Sequence, residues 1–205
     1  MSPRSLPIPS RRNLLAGLWL AICLLGCGPR LPALDKLAPL PEEKVCRIAV
    51  IPFASEADSP QGATLFYRVF LAELVRLGQF DVVQEGDVRE VLRNLRIWPE
   101  QQPELEQIKI LGERLGSPLL VEGTLLEMEE TSKGGASNPS IAVSLQILDS
   151  GNGKTLWTTY HRREGSEYRK IMHFGVIHTA TSLADRVSQE ILERWFQEGL
   201  NKCTE

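Results

Sequence analysis

Catalysis needs groups of matched type at close spacing, and this 205-residue chain offers few. Gly153-Lys154-Thr155 has the ending of a phosphate-binding loop, but the glycine required five positions earlier is Leu148. The tripeptide also precedes a strand rather than a helix, so no helix N-terminus stands ready to hold phosphate. The only histidines, His161, His173 and His178, neither pair at i, i+4 nor lie beside cysteines at zinc-ligand spacing. Glu127, Glu129 and Glu130 beside Met128 could form a paired-carboxylate site, and are more simply a solvated edge that discourages sheet pairing. No nucleophile-elbow sequence accompanies them. The expectation is a protein that is not an enzyme, with no cofactor, no metal and no small-molecule substrate. The densest mixed-charge stretch runs over 161–170. Arg162, Arg163, Tyr168 and Arg169 make it a candidate interface, since Arg and Tyr are favoured at contacts; the alternative is a solvated turn.

The cysteines carry more chemistry. Arg4, Arg11 and Arg12 precede an apolar run of about 12 residues, against the roughly 20 that a spanning helix needs, and the run ends in Leu24-Leu25-Gly26-Cys27. This order reads as an export signal over 1–26. The tetrad resembles the lipobox of bacterial lipoproteins, which implies that the Cys27 thiol takes a diacylglyceryl group, that the chain is cut before it, and that the new terminus is acylated. Gly28, not Asp, follows, which in that pattern implies the outer membrane with the domain facing the periplasm. Ser10-Arg11-Arg12-Asn13-Leu14-Leu15 also resembles a twin-arginine motif, so the export route stays open. Cleavage removes three of 23 basic residues and leaves 26 acidic ones, a net −6, which argues against a nucleic-acid partner. Cys46 and Cys203 are then the remaining pair in an oxidising compartment: a disulfide is the economical reading, two separate thiols the alternative.

The elements that position these residues follow from pattern. The proline-bearing segment 27–44 reads as a membrane tether and 45–205 as a single domain. A β-branched run over 45–53 predicts a central strand. Helical stripes follow at 63–77 with Gly78 as stop, around Val88–Leu95 closed by Trp98-Pro99, and at 104–115 with Gly116 as stop, with a short strand at 80–84. Strands at 118–129, 140–149 and 156–162 form a meander, turning at Asp149-Ser150-Gly151-Asn152-Gly153-Lys154. A long terminal helix carries Val176, Ala180, Leu183, Val187, Ile191 and Trp195 on one stripe, with Gly175 marking either its start or a bend. The fold class is α/β: a mixed sheet with an antiparallel hairpin meander, flanked by helices, with a long C-terminal helix.

Four stretches in order, Ile48-Ala49-Val50-Ile51-Pro52-Phe53, Leu77-Gly78-Gln79-Phe80-Asp81-Val82-Val83, Leu120-Val121-Glu122-Gly123-Thr124, and Leu145-Gln146-Ile147-Leu148-Asp149 turning into Gly153-Lys154-Thr155-Leu156-Trp157, resemble the superfamily of the curli-secretion lipoprotein CsgG and the TolB amino-terminal domain. Relatives of that group include the polysaccharide-export lipoprotein PelC and the synthase activator LpoB. The resemblance spans about 46–197 and implies a TolB/CsgG-like sandwich and a non-enzymatic accessory of an envelope export or secretion complex, several relatives forming rings. A homo-oligomer or an envelope protein is the implied partner. The segment 131–139 is too short to add spanning strands of about 9–11 residues, so a curli-type channel is not expected. A monomeric activator of a cell-wall synthase and an envelope hydrolase or transferase are the alternatives.

Overall fold

Ile141, Val143, Leu145 and Ile147 alternate along the chain, and all four are completely buried on one face of a sheet. The computed structural model that shows this describes residues 30–41, 45–98, 101–133, 136–172 and 174–200. The strands are β1 Ala33–Lys36, β2 Arg47–Val50, β3 Ala54–Ser55, β4 Asp81–Val82, β5 Leu119–Lys133, β6 Ala136–Asp149 and β7 Thr155–Glu164; the α-helices are α1 Pro60–Leu77, α2 Glu85–Asn94, α3 Leu105–Leu115 and α4 Ala180–Gln197. The sheet order is β1-β7-β6-β5-β2-β4, with β3 beside β5. β2 lies parallel to β4 and β5, whereas β5, β6, β7 and β1 form an antiparallel run. The expected mixed α/β sheet with its meander and terminal helix is what forms.

The first sheet face carries α1 and α4. Phe66, Phe70 and Leu74 of α1 and Leu183, Val187, Ile191 and Trp195 of α4 are fully buried there, as a helical stripe spaced every three or four residues demands. Trp195 meets Phe70 edge-on at 5.8 Å and donates its ring N–H to Thr159 Oγ1 at 2.7 Å, so its one polar atom is satisfied inside the core. Gly123 is needed where β5 passes Phe53: a Cβ there would stand 2.4 Å from Leu145 Cδ2 and 2.7 Å from Phe53 Cδ1. The second face carries α2 and α3, whose Val88, Leu92, Ile108 and Leu111 pack with Ala49, Ile51, Leu120 and Leu148.

Several expectations are corrected. The segment read as a tether contributes β1, which pairs with β7 from Ala33 opposite Tyr160 to Lys36 opposite Trp157. A four-residue edge strand carries too few alternations to be recognised behind a proline. The strand expected over 45–53 ends at Val50, and the chain steps across to pair as β3 with Thr124 and Leu125. α2 stops at Asn94, with Arg96 left-handed at φ 58, ahead of the Trp98 expected to close it. The terminal helix begins at Ala180, where the Thr179 hydroxyl accepts from Ser182 N at 3.2 Å; Val176 lies before it. β5 and β6 extend past their expected limits, pairing down to Lys133 with Ala136. Pro139 belongs to that extension, and β7 ends at Glu164 opposite Ser140, so Pro139 lies past β7, where its missing N–H costs the sheet nothing. Cys46 is disulfide-bonded; Cys27 and the expected partner Cys203 lie outside the described residues.

Candidate interaction surface

Successive residues of a strand point to opposite faces, so β7 separates two neighbouring arginines. Trp157, Thr159, His161 and Arg163 all lie on the buried side. Arg163 donates to Glu190 of α4 through Nε at 2.9 Å and a terminal nitrogen at 3.1 Å, and to Glu167 at 3.2 Å. His161 Nε2 lies 2.7 Å from Glu190 Oε2; an ionised carboxylate only accepts, so that nitrogen carries the proton. The Tyr168 hydroxyl adds a bond to Glu190 Oε1 at 3.1 Å, and its ring sits 5.1 Å from the Arg163 guanidinium. Burial pushes the Glu190 carboxyl up, but the bonds from His161 and Arg163 outweigh it and hold it at about 2. Burial and the adjacent Glu190 charge push the Tyr168 phenol up.

The next residue over, Arg162, faces the other way. It holds Glu127 of β5 by two bonds, 3.1 and 2.9 Å, and Glu164 at 3.0 Å, while 40% of its side chain stays exposed. The hydrogen bonds from Arg162 hold the Glu127 carboxyl below its usual range. The apolar contacts of α2 and α3 with this sheet face reach Leu120 and Leu148, and Gln102, between the two helices, donates to Thr124 Oγ1 at 3.3 Å. Beyond Leu120 and Leu148 the cross-strand rows are polar: Glu122 opposite Gln146 opposite Thr158, then Thr124 opposite Ser144 opposite Tyr160. Tyr160 is exposed. Burial among these strands pushes the Glu122 carboxyl up.

The four residues expected to form one interface are therefore divided. Buried Arg163 and half-buried Tyr168 clamp β7 to α4; Arg162 lies on the open face; Arg169 is exposed beyond the 3₁₀ turn Gly165–Tyr168. The strand phase was readable in the sequence, because Trp157 fixes which side of β7 is inward. Glu190, the centre of the clamp, was missed: it lies beside the apolar stripe of α4, and only the docking of that helix brings it to β7.

The other candidates resolve individually. Glu127 is held by Arg162, Glu130 accepts from Ala180 N at 3.2 Å at the start of α4, and Glu129 is exposed, so no carboxylate pair forms. Gly153-Lys154-Thr155 closes the β6–β7 turn, where Asp149 accepts from Gly151 N at 2.8 Å and Asn152 Nδ2 at 2.6 Å. His178 Nδ1 lies 3.0 Å from Ser137 O, and His173 lies outside the described residues. Among the described residues no cluster of His, Cys, Asp and Glu is placed to hold a metal ion, and no helix is long and apolar enough to cross a membrane.

No protein-family model matches the chain, and no curated protein matches it in sequence. Solved structures do match the fold. The PelC dodecamer from Paraburkholderia phytofirmans aligns with a TM-score of 0.52 at 15% identity, covering 79% of this chain and 95% of that one. Lipoprotein GNA1162 from Neisseria meningitidis aligns at 0.52 and 16%, covering 74% and 99%. The hypothetical protein CT253 from Chlamydia trachomatis aligns at 0.50 and 13%, covering 74% and 95%. At such identities the likeness is one of fold.

Proposed function

We propose that the chain is a non-enzymatic lipoprotein, acylated at Cys27, held on the outer membrane with its domain in the periplasm, and serving there as an accessory or assembly module of an envelope export or secretion complex. The observation that carries this reading is a Leu24-Leu25-Gly26-Cys27 tetrad placed before a domain whose fold aligns along nearly the full length of PelC and of lipoprotein GNA1162. Placement in the CsgG and TolB amino-terminal superfamily belongs to the same proposal and rests on the four ordered sequence motifs. Self-association is part of it as well: PelC is a dodecamer, and the face of this sheet left open by α2 and α3 offers Tyr160, Arg162 and a field of hydroxyl and amide groups, the composition of a polar contact surface rather than of a catalytic cleft.

Several acyl chains on one residue hold a protein at a bilayer far better than one. Intact-mass analysis of protein extracted from membranes is expected to find an acylated terminus at Cys27, and Cys27→Ala is expected to remove that modification and the cleavage before residue 27. A wild-type chain in the soluble fraction with an unmodified Cys27 refutes the anchor.

A further inference from the structure

Soluble surfaces rarely gather large apolar side chains at one exposed spot. Here Ile171, Met172 and Phe174 are 71%, 78% and 75% exposed within four positions. They are held outward by the backbone. Lys170 N donates to Phe174 O at 2.9 Å and Phe174 N to Ile171 O at 2.9 Å, while Met172 at φ 53 and Gly175 at φ 89 turn the chain. A Cβ on Gly175 would stand 2.5 Å from Tyr168 O, so the turn sits tightly on the residue that the Glu190 clamp fixes. The apolar tip is thus presented by a braced turn, with exposed Arg169 and Lys170 immediately beside it.

The topology says what lies opposite this tip. β7 runs toward it and β1 runs antiparallel to β7, with Ala33 opposite Tyr160, so the chain preceding β1 enters the sheet from the same end. Cys27 is six positions before Ala33, a reach of about 20 Å at full extension. Ala33 lies opposite Tyr160, four residues short of the end of β7 at Glu164, about 13 Å at the usual strand rise, so six extended residues leaving in that direction are enough to bring an acylated Cys27, and the bilayer holding it, level with the tip that follows β7. Basic side chains flanking an apolar tip match a surface of lipid phosphates over acyl chains.

We infer that Ile171, Met172 and Phe174 dip into the surface of a phospholipid bilayer, with Arg169 and Lys170 at the level of the phosphates, so that the domain is held in one orientation rather than swinging on its lipid. This rests on the acylation of Cys27 proposed above, and the two are separable by experiment. The full chain carrying Met172→Cys, labelled with a polarity-sensitive dye, is reconstituted with vesicles of phosphatidylethanolamine and phosphatidylglycerol, and Lys154→Cys at the opposite end of the sheet serves as the reference. Labelling of the chain without an added cysteine is subtracted. Flotation reports the anchor, and the dye reports the tip. The expected result is flotation of both variants, with a blue shift and quenching by lipid-borne spin labels at position 172 and a water-like spectrum at 154. Flotation with a water-like dye at 172 overturns the tip and leaves the anchor standing. A lipid-quenched dye at 172 without stable flotation supports the tip and removes the anchor. Neither signal contradicts both, and a blue shift at 172 that needs no vesicles assigns the tip to a protein contact and overturns the bilayer.

Discussion

Arg162 and Arg163 are neighbours in sequence with the same side chain, yet they occupy opposite situations. Arg163 is 7% exposed and shares Glu190 with His161 and Tyr168; Arg162 is two-fifths exposed and reaches Glu127 and Glu164 across an open face. The difference shows how one strand serves two purposes. Its inward residues fasten the terminal helix to the sheet, and its outward residues Tyr160 and Arg162 stay open to solvent. Charge density along the sequence does not distinguish them, because the dielectric surroundings and not the charges set the energetic weight of each pair.

The largest loss is expected at Glu190. Glu190→Gln leaves the buried Arg163 with Glu167 alone and takes the charged acceptor from His161 and Tyr168, against a cost of about 3–5 kcal/mol where a buried pair loses one member outright; a lowered urea midpoint with an unchanged slope is the expected signature. A loss of under about 1 kcal/mol would place the clamp among exposed surface pairs. Acid separates the faces next. Glu190 is held at about 2, below its ordinary 4.5, so its contribution is present above the ordinary value and is lost as pH falls through the folded one. Stability is expected to decline between about pH 4.5 and 2, and that decline should shrink in Glu190→Gln. An identical acid profile in the variant would remove Glu190 from the account. The smallest effect on stability belongs to the open face, where Arg162→Ala is expected to cost under about 1 kcal/mol by the same urea measurement.

Legibility in the sequence followed burial. The β6 alternation and the helix stops at Gly78 and Gly116, both left-handed at φ 62 and 59, were readable because apolar spacing and glycine conformation are local properties. β1 was not, since its four residues are a strand only because β7 offers a free edge. The strand extensions over 130–133 and 136–139 carry no large apolar side chain and owe their form to pairing continued from Leu119–Leu125 against Val143–Asp149 across the register shift between Leu125 and Glu127. At the candidate surface the residue types were visible but their division was not: half of it followed from strand phase, and the other half from a tertiary contact between β7 and α4 separated by 27 positions. The apolar tip at Ile171, Met172 and Phe174 was hidden for a related reason. Apolar residues after a charged run read as the start of a helix unless the turn that exposes them is known.

The proposed self-association places further copies of the chain against the outward side of β7 and none against the inward side. Light scattering on the detergent-solubilised full chain across a concentration series decides this, comparing wild type with Arg162→Ala and reading the melting temperature of each. The expected result is wild-type mass rising above that of one chain, with Arg162→Ala shifted toward the monomer and melting nearly unchanged. A wild type that stays monomeric at every concentration, or an Arg162→Ala chain that associates as fully as wild type, rules the contact out.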